Sequence, residues 1–157
     1  MKYLKIKAIT VCDGNVPLAQ GIKNCQTILS LVDSPSTLIY AGMDGPIVRN
    51  LHEVSSWSGH GIDGLGNVTI QGGKHYELHL KGTNTIPIQA EHAAIALSRL
   101  VREAKGELTV VAIGPLSNIA MAIRLDPNFI ENVKEIVIMG GSLLAKGNSS
   151  RSGSLIS

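Results

Sequence analysis

Apolar and polar positions change period several times along this chain, and each change marks an element. Leu4–Thr10 (LKIKAIT) alternates apolar residues with lysines, the period of two expected of a half-buried strand. Pro17 suits the first turn of a helix. Leu18, Ile22, Cys25, Ile28 and Val32 follow at helical spacing on one face. Asp33, Ser34 and Pro35 end that helix, and Thr37–Tyr40 (TLIY) reads as a short buried strand.

From about Gly42 to Pro87 no period is sustained, and six glycines fall between Gly59 and Gly73. An irregular stretch of that length in a compact domain is usually functional or mobile. Regularity returns at Ile88, where Ala93, Leu97, Leu100, Val101 and Ala104 form one apolar helix face and Gly106 is placed to stop it. Leu108–Ile113 (LTVVAI) is a near-continuous apolar run, which predicts a strand buried on both faces. After Gly114 and Pro115, the spacing of Leu116, Ile119, Ala120 and Ile123 predicts another helix. Asp126 and Pro127 open a further short one, and Glu135–Met139 (EIVIM) predicts a last buried strand.

Strands alternating with helices imply an α/β fold, a partial open and mostly parallel sheet with helices on both faces. No internal repeat or domain boundary interrupts it. Beyond Gly140 and Gly141 the chain turns polar, and a sheet that stopped there would leave edges and faces unprotected. The expectation is an incomplete α/β domain over residues 1–152, followed by a divergent tail at 153–157.

Composition narrows the class. With 157 residues, 44% hydrophobic and 17% charged, the chain is ordinary for a soluble globular domain. Fourteen Lys and Arg against 12 Asp and Glu leave +2, too little to imply nucleic acid or an anionic membrane as partner. No apolar run has the length of a membrane span. Lys2, Lys5 and Lys7 interrupt Met1–Thr10, which argues against a signal peptide. Cys12 and Cys25 form no CxxC pair, so two free thiols in a reducing cytoplasm are expected.

In open parallel sheets, ligands bind beyond the carboxyl ends of the strands. Three segments qualify: Cys12–Asn15, Ile113–Pro115 and Met139–Asn148. Taken singly, a Gly-Asn pair after a strand is most often a turn, and Gly-Pro at a helix start is punctuation. The loop Gly59–Gly66 is more pointed, because His60 between glycines presents an imidazole that titrates near neutral pH. Its plainer alternative is a surface turn in which Asp63 caps backbone N–H groups. His52, His75, His79 and His92 lack metal-ligand spacing and read as ordinary surface residues.

Six blocks in one order are more specific. They are GN at Asn15, IYAGMDGPIVR (Ile39–Arg49), HGIDGLG (His60–Gly66), EHAAIAL (Glu91–Leu97), IGPLSNIAMAI (Ile113–Ile123) and EIVIMGG (Glu135–Gly141). Together they resemble the inosine–uridine-preferring nucleoside hydrolases, over residues from about 4 to 152. A generic nucleotide-binding α/β protein fits worse, since no GxGxxG lies between a strand and a helix.

The resemblance implies a hydrolase (an N-glycosidase) that splits purine and pyrimidine ribonucleosides such as inosine or uridine into base and ribose. It implies a calcium ion that activates water, dimers or tetramers, and no nucleic-acid or membrane partner. By similarity, the backbone carbonyl of Ile113 is a calcium ligand and Asn15 supports the metal and ribose region. Met139 packs beside the sugar, Asn148 bonds a ribose hydroxyl, and His60 lies near the base. The chain departs from the family where carboxylates matter: it has no aspartate-rich strand end, and Asp13, Asp33, Asp44, Asp63 and Asp126 are isolated. The family's EFN block and later His-Asp pair are also lacking. Because Ca²⁺ takes six to eight oxygens, this chain alone is expected neither to hold calcium nor to hydrolyse nucleosides, and no residue is assigned as catalytic. The alternative is a non-catalytic fragment that binds ribose or nucleoside, or that regulates an intact homologue by pairing with it.

Overall fold

A computed structural model describes residues 4–32, 36–48, 58–67 and 86–141. The elements are β1 (Ala8–Val11), α1 (Leu18–Leu31), β2 (Leu38–Ala41), a 3-10 turn at Ser58–His60, β3 (Ile88–Gln89), α2 (Ala93–Ala104), β4 (Thr109–Ala112), α3 (Ser117–Leu125), α4 (Phe129–Asn132) and β5 (Glu135–Ile138). Every strand pairing is parallel, as the strand–helix alternation requires. Among the described residues the strands pair as β1-β2-β3 and as β4-β5.

The first strand is shorter than its alternation predicts. β1 begins at Ala8, because the β1–β2 ladder runs only from Ala8 opposite Leu38 to Val11 opposite Ala41. Leu4, 98% exposed, lies outside it, so the Leu4–Lys7 alternation has no face to bury. The two-residue β3 pairs Ile88 with Ile39 and Gln89 with Tyr40. Sequence pattern does not reveal it, since two residues are too few to show a period.

Helix α1 follows Pro17, whose carbonyl accepts from the Gln20 and Gly21 amides in the opening turn. Its buried stripe is not the predicted one. Ile22 and Leu29 are buried, with Leu18 and Cys25 packed against the same cluster, whereas Ile28 and Val32 are exposed. Steps of 4, 3 and 4 residues keep Leu18, Ile22, Cys25 and Leu29 nearer one line on a helix of 3.6 residues per turn. That stripe meets Val11, Ile39 and Ile86 on one face of the three-stranded sheet.

Helix α2 covers the opposite face and links the two sheets. Ala93 and Ala96 pack with Tyr40 of β2 and Ala8 of β1. Ala94, Leu97 and Val101 pack with Val110 of β4, Ala122 of α3 and Phe129 of α4. His92 caps the helix, its Nδ1 accepting from the Ala94 N–H at 3.2 Å. The helix stops as expected, with Lys105 left-handed at its C-cap and Gly106 beyond it. The Gly106 N–H donates to Asn132 and the Lys134 N–H to Leu108, which fastens the short α4 connection.

The expectation that Leu108–Ile113 is buried on both faces does not hold among the described residues. Val110 and Ala112 turn into the helical core, but Val111 is 63% exposed and Ile113 is 72% exposed. The described helices cover one face of β4-β5 and leave Val111 and Val137 of the other in contact with solvent. Among the described residues, no helix is long and apolar enough to cross a membrane.

Candidate functional site

The rim at the carboxyl ends of the strands is assembled by one buried amide. Asn118, in the first turn of α3, is 3% exposed. Its Nδ2 donates to the Val11 carbonyl at 3.0 Å, and its Oδ1 accepts from the Met43 N–H at 2.9 Å. A helix that follows β4 is thereby tied to the ends of both β1 and β2. Two further bonds tighten the junction: the Asp13 N–H donates to the Met43 carbonyl at 2.8 Å, and the Cys12 thiol donates to the Pro115 carbonyl at 3.4 Å. The segments Cys12–Asn15 and Ile113–Pro115, selected independently from the sequence, therefore meet at one rim.

The glycine-rich loop docks beside them. Asn24 of α1 donates from Nδ2 to the Asp63 carbonyl at 2.8 Å. Gly64, with φ +74°, lies so near Val16 that an added Cβ would be 2.6 Å from a methyl carbon of that residue. Asp63 is buried, and its Oδ1 accepts from the Leu65 and Asn67 amides at 2.8 and 2.7 Å. The plainer reading of Asp63 as a turn-capping carboxylate is thus realised. Within the same loop the His60 carbonyl accepts from the Gly66 N–H at 2.7 Å.

Asn15 is exposed just beyond β1. Met139, 54% exposed, follows β5, and its N–H donates to the Ala112 carbonyl at 2.8 Å, next to Ile113. Asn148 lies outside the described residues, as do His52, His75 and His79. His92, expected on the surface, is exposed and serves as the α2 cap. Sequence reasoning assigned no role to Asn118 or Met43. The Asn118 signal was present in IGPLSNIAMAI, where a polar residue interrupts an otherwise apolar helix start.

The electrostatics of the rim are mildly acidic. Burial pushes the Asp13 carboxyl above its ordinary range, and the neighbouring Asp44 pushes it further. Burial likewise raises the Cys12 thiol, with a smaller contribution from Asp13. Cys25 is raised by burial alone. Both cysteines are free thiols of the inert, part-buried kind. Among the described residues, no three His, Cys, Asp or Glu side chains gather where they could hold a metal ion. Calcium takes six to eight oxygens, and among the described residues Asp13 and Asp44 are carboxylates that neighbour each other at this rim. What these residues offer chemically is hydrogen bonding and positioning at a polar rim.

A parallel α/β scaffold with a polar loop rim beyond its strands is the architecture on which solved nucleoside hydrolases superpose. A plant nucleoside hydrolase, PpNRh1, matches with a TM-score of 0.71 and 29% identity over 88% of this chain and 40% of its own. A purine-preferring ribonucleoside hydrolase from Gardnerella vaginalis matches with a TM-score of 0.74 and 28% identity, over 92% of this chain and 43% of its own. Among curated proteins, uridine nucleosidase 1 of Arabidopsis thaliana is 30% identical over 145 residues. The inosine-uridine preferring nucleoside hydrolase of Crithidia fasciculata is 33% identical over 139 residues. The inosine-uridine preferring nucleoside hydrolase family pattern matches residues 1–153, and the chain belongs to that family. It spans about 40% of the length of these two curated relatives.

Proposed function

We propose that this chain forms part of a ribonucleoside hydrolase, an enzyme that cleaves the N-glycosidic bond of nucleosides to base and ribose, and that alone it binds without turnover. The supporting observation is the rim clasped by Asn118, which gathers the ends of β1, β2 and β4. The relatives' names supply the substrate class: uridine for one, inosine and uridine for another.

Cleavage of this bond develops positive charge on the ribose and negative charge on the departing base, so an enzyme must hold the hydroxyls and assist the leaving group. In this reading Asn15 supports the metal and ribose region, Asn148 bonds a ribose hydroxyl, Met139 packs beside the sugar, and His60 lies near the base. A calcium ion held in the family's complete site would supply Lewis-acid activation of water. That ion belongs to a shell to which this chain offers one backbone oxygen, at Ile113. The free thiols Cys12 and Cys25 support a cytoplasmic setting.

Titration with uridine or inosine, followed by NMR, tests the reading. The Asn15 side-chain amide and His60 ring signals should shift, with no ribose released in added Ca²⁺. Silence at both residues overturns the assignment of the rim, and calcium-dependent ribose release by the pure chain overturns the claim that it does not turn over alone.

A further inference from the structure

The residues from His60 to Asn67 fasten themselves into one unit. The Gly64 N–H donates to the Gly61 carbonyl at 3.2 Å, and the Gly66 N–H donates to the His60 carbonyl at 2.7 Å. The Ile62 N–H donates to the Asn67 side-chain oxygen at 2.7 Å, while the buried Asp63 carboxylate accepts from the Leu65 and Asn67 amides. Gly61, Gly64, Gly66 and Asn67 take positive φ, a region that glycine and asparagine enter at least cost. A loop whose shape is fixed from within can be placed as a whole by a few contacts from outside.

Helix α1 supplies two such contacts. Asn24 donates from Nδ2 to the Asp63 carbonyl at 2.8 Å. That amide is itself oriented, because its Oδ1 accepts from Gln20 Nε2, one turn earlier, at 2.9 Å. With the oxygen engaged by Gln20, the NH2 group is the end that faces the loop. The second contact is steric: Gly64 lies against Val16, the residue after Asn15, with no room for a Cβ between them. One contact is directional and the other apolar, and together they set the loop against the beginning of α1.

We infer that Asn24, oriented by Gln20, is a positioning residue that holds the prefolded His60–Asn67 loop on α1 and thereby fixes His60 relative to Asn15. The inference rests on the reading in which His60 lies near the base and Asn15 supports the ribose region. An imidazole carried on a unit already docked to the protein needs less ordering when a nucleoside arrives. Helix α1 thus acts on base recognition through the main chain of Asp63 rather than by touching the ligand.

Asn24→Asp is the sharpest test. It keeps the shape of the side chain and can still accept from Gln20, but the carboxylate has no N–H for the Asp63 carbonyl. In the chain without ligand, NMR should show a nuclear Overhauser contact between the Gly64 α-protons and the Val16 methyls. That contact should vanish in Asn24→Asp and in Asn24→Ala, with circular dichroism unchanged and the Leu65 and Asn67 amides still protected from exchange. Gln20→Ala, which leaves the donor but frees its orientation, should weaken the contact, and it carries the test should both Asn24 variants unfold. In saturating uridine, Asn24→Asp should lose the shift of the His60 ring and retain that of the Asn15 side-chain amide. A Gly64–Val16 contact missing from the parent, or undiminished in the variants that fold, overturns the inference. So do loop amides that lose protection along with the contact, or His60 and Asn15 shifts that fall together. The contact is read without ligand, so a contact that depends on Asn24 in a chain whose His60 and Asn15 ignore uridine counts against the proposed function alone.

Discussion

A methyl group on Gly42 would lie 2.1 Å from the side-chain oxygen of Asn118, closer than two such atoms approach. The end of β2 and the start of α3 fit each other only because one residue has no side chain and the other has an amide of that length.

Substitution at either residue should therefore destabilise the chain, and the two effects should not add. Asn118→Ala strands the Val11 carbonyl and the Met43 N–H, at a cost of about 1–3 kcal/mol. Gly42→Ala forces the loop away, for about 1–3 kcal/mol. In the double variant the added methyl occupies the space the amide vacated, so the summed loss should fall short by at least about 0.5 kcal/mol. Urea unfolding of the four proteins measures this coupling, and strict additivity would show that the residues do not compete for space.

Phe129 anchors the second core, buried among Leu97, Val101, Val110 and Ala122. Phe129→Ala should cost about 3–5 kcal/mol through lost burial and a residual cavity. Its neighbour Ile130 is exposed, and Ile130→Ala should stay within about 0.5 kcal/mol. Thermal melts of the pair distinguish the buried position from the exposed one.

Asp13 sets one pH dependence. Folding raises its carboxyl pKa, chiefly through burial and secondly through Asp44, so the fold favours the protonated acid. The associated stability is present below the ordinary aspartate pKa and is lost as pH rises through the elevated value. Asp13→Asn should consequently be more stable than the parent at neutral pH, with the difference closing on acidification. Denaturation curves across pH 3–8 check the sign; a variant less stable than the parent at neutral pH contradicts it.

Glu91 behaves in the opposite sense. Hydrogen bonds from Arg99, the shortest 2.7 Å, lower its pKa. Its stabilisation is present above the ordinary glutamate value and is lost as pH falls through the lowered one. Both side chains are about one-third exposed, so Glu91→Gln should cost no more than about 1 kcal/mol at pH 7. At acid pH the variant and parent should converge, as the same denaturation series would show.

The pattern of apolar positions revealed the order of the longer elements because helices of nine to 14 residues display their period in full. It misplaced the buried stripe of α1, where Ile28 and Leu29 both continue a helical spacing and only the sheet decides between them. It also predicted two covered faces for β4, where the described helices cover one, since a valine run looks the same whether or not a helix lies above it. For the rim, the segments Cys12–Asn15 and Ile113–Pro115, which the Cys12–Pro115 bond brings together, were legible from their position after strands. The pairing of Asn118 with Met43 was not, because 75 residues separate them and the bond involves a backbone N–H that sequence does not mark.

Three alanines, Ala93, Ala94 and Ala96, form the first turns of α2, and all three are fully enclosed. Methyl groups there act as shims of fixed thickness between the helix and the strands. Enlarging any one of them would tilt a single rod that rests on both sheets, and so shift the strand ends at the rim without touching a rim residue. Sequence drift at that spot would register as altered alignment of loops a helix-length away, whereas the same drift on the solvent side of α2, at Ile95, would pass without trace.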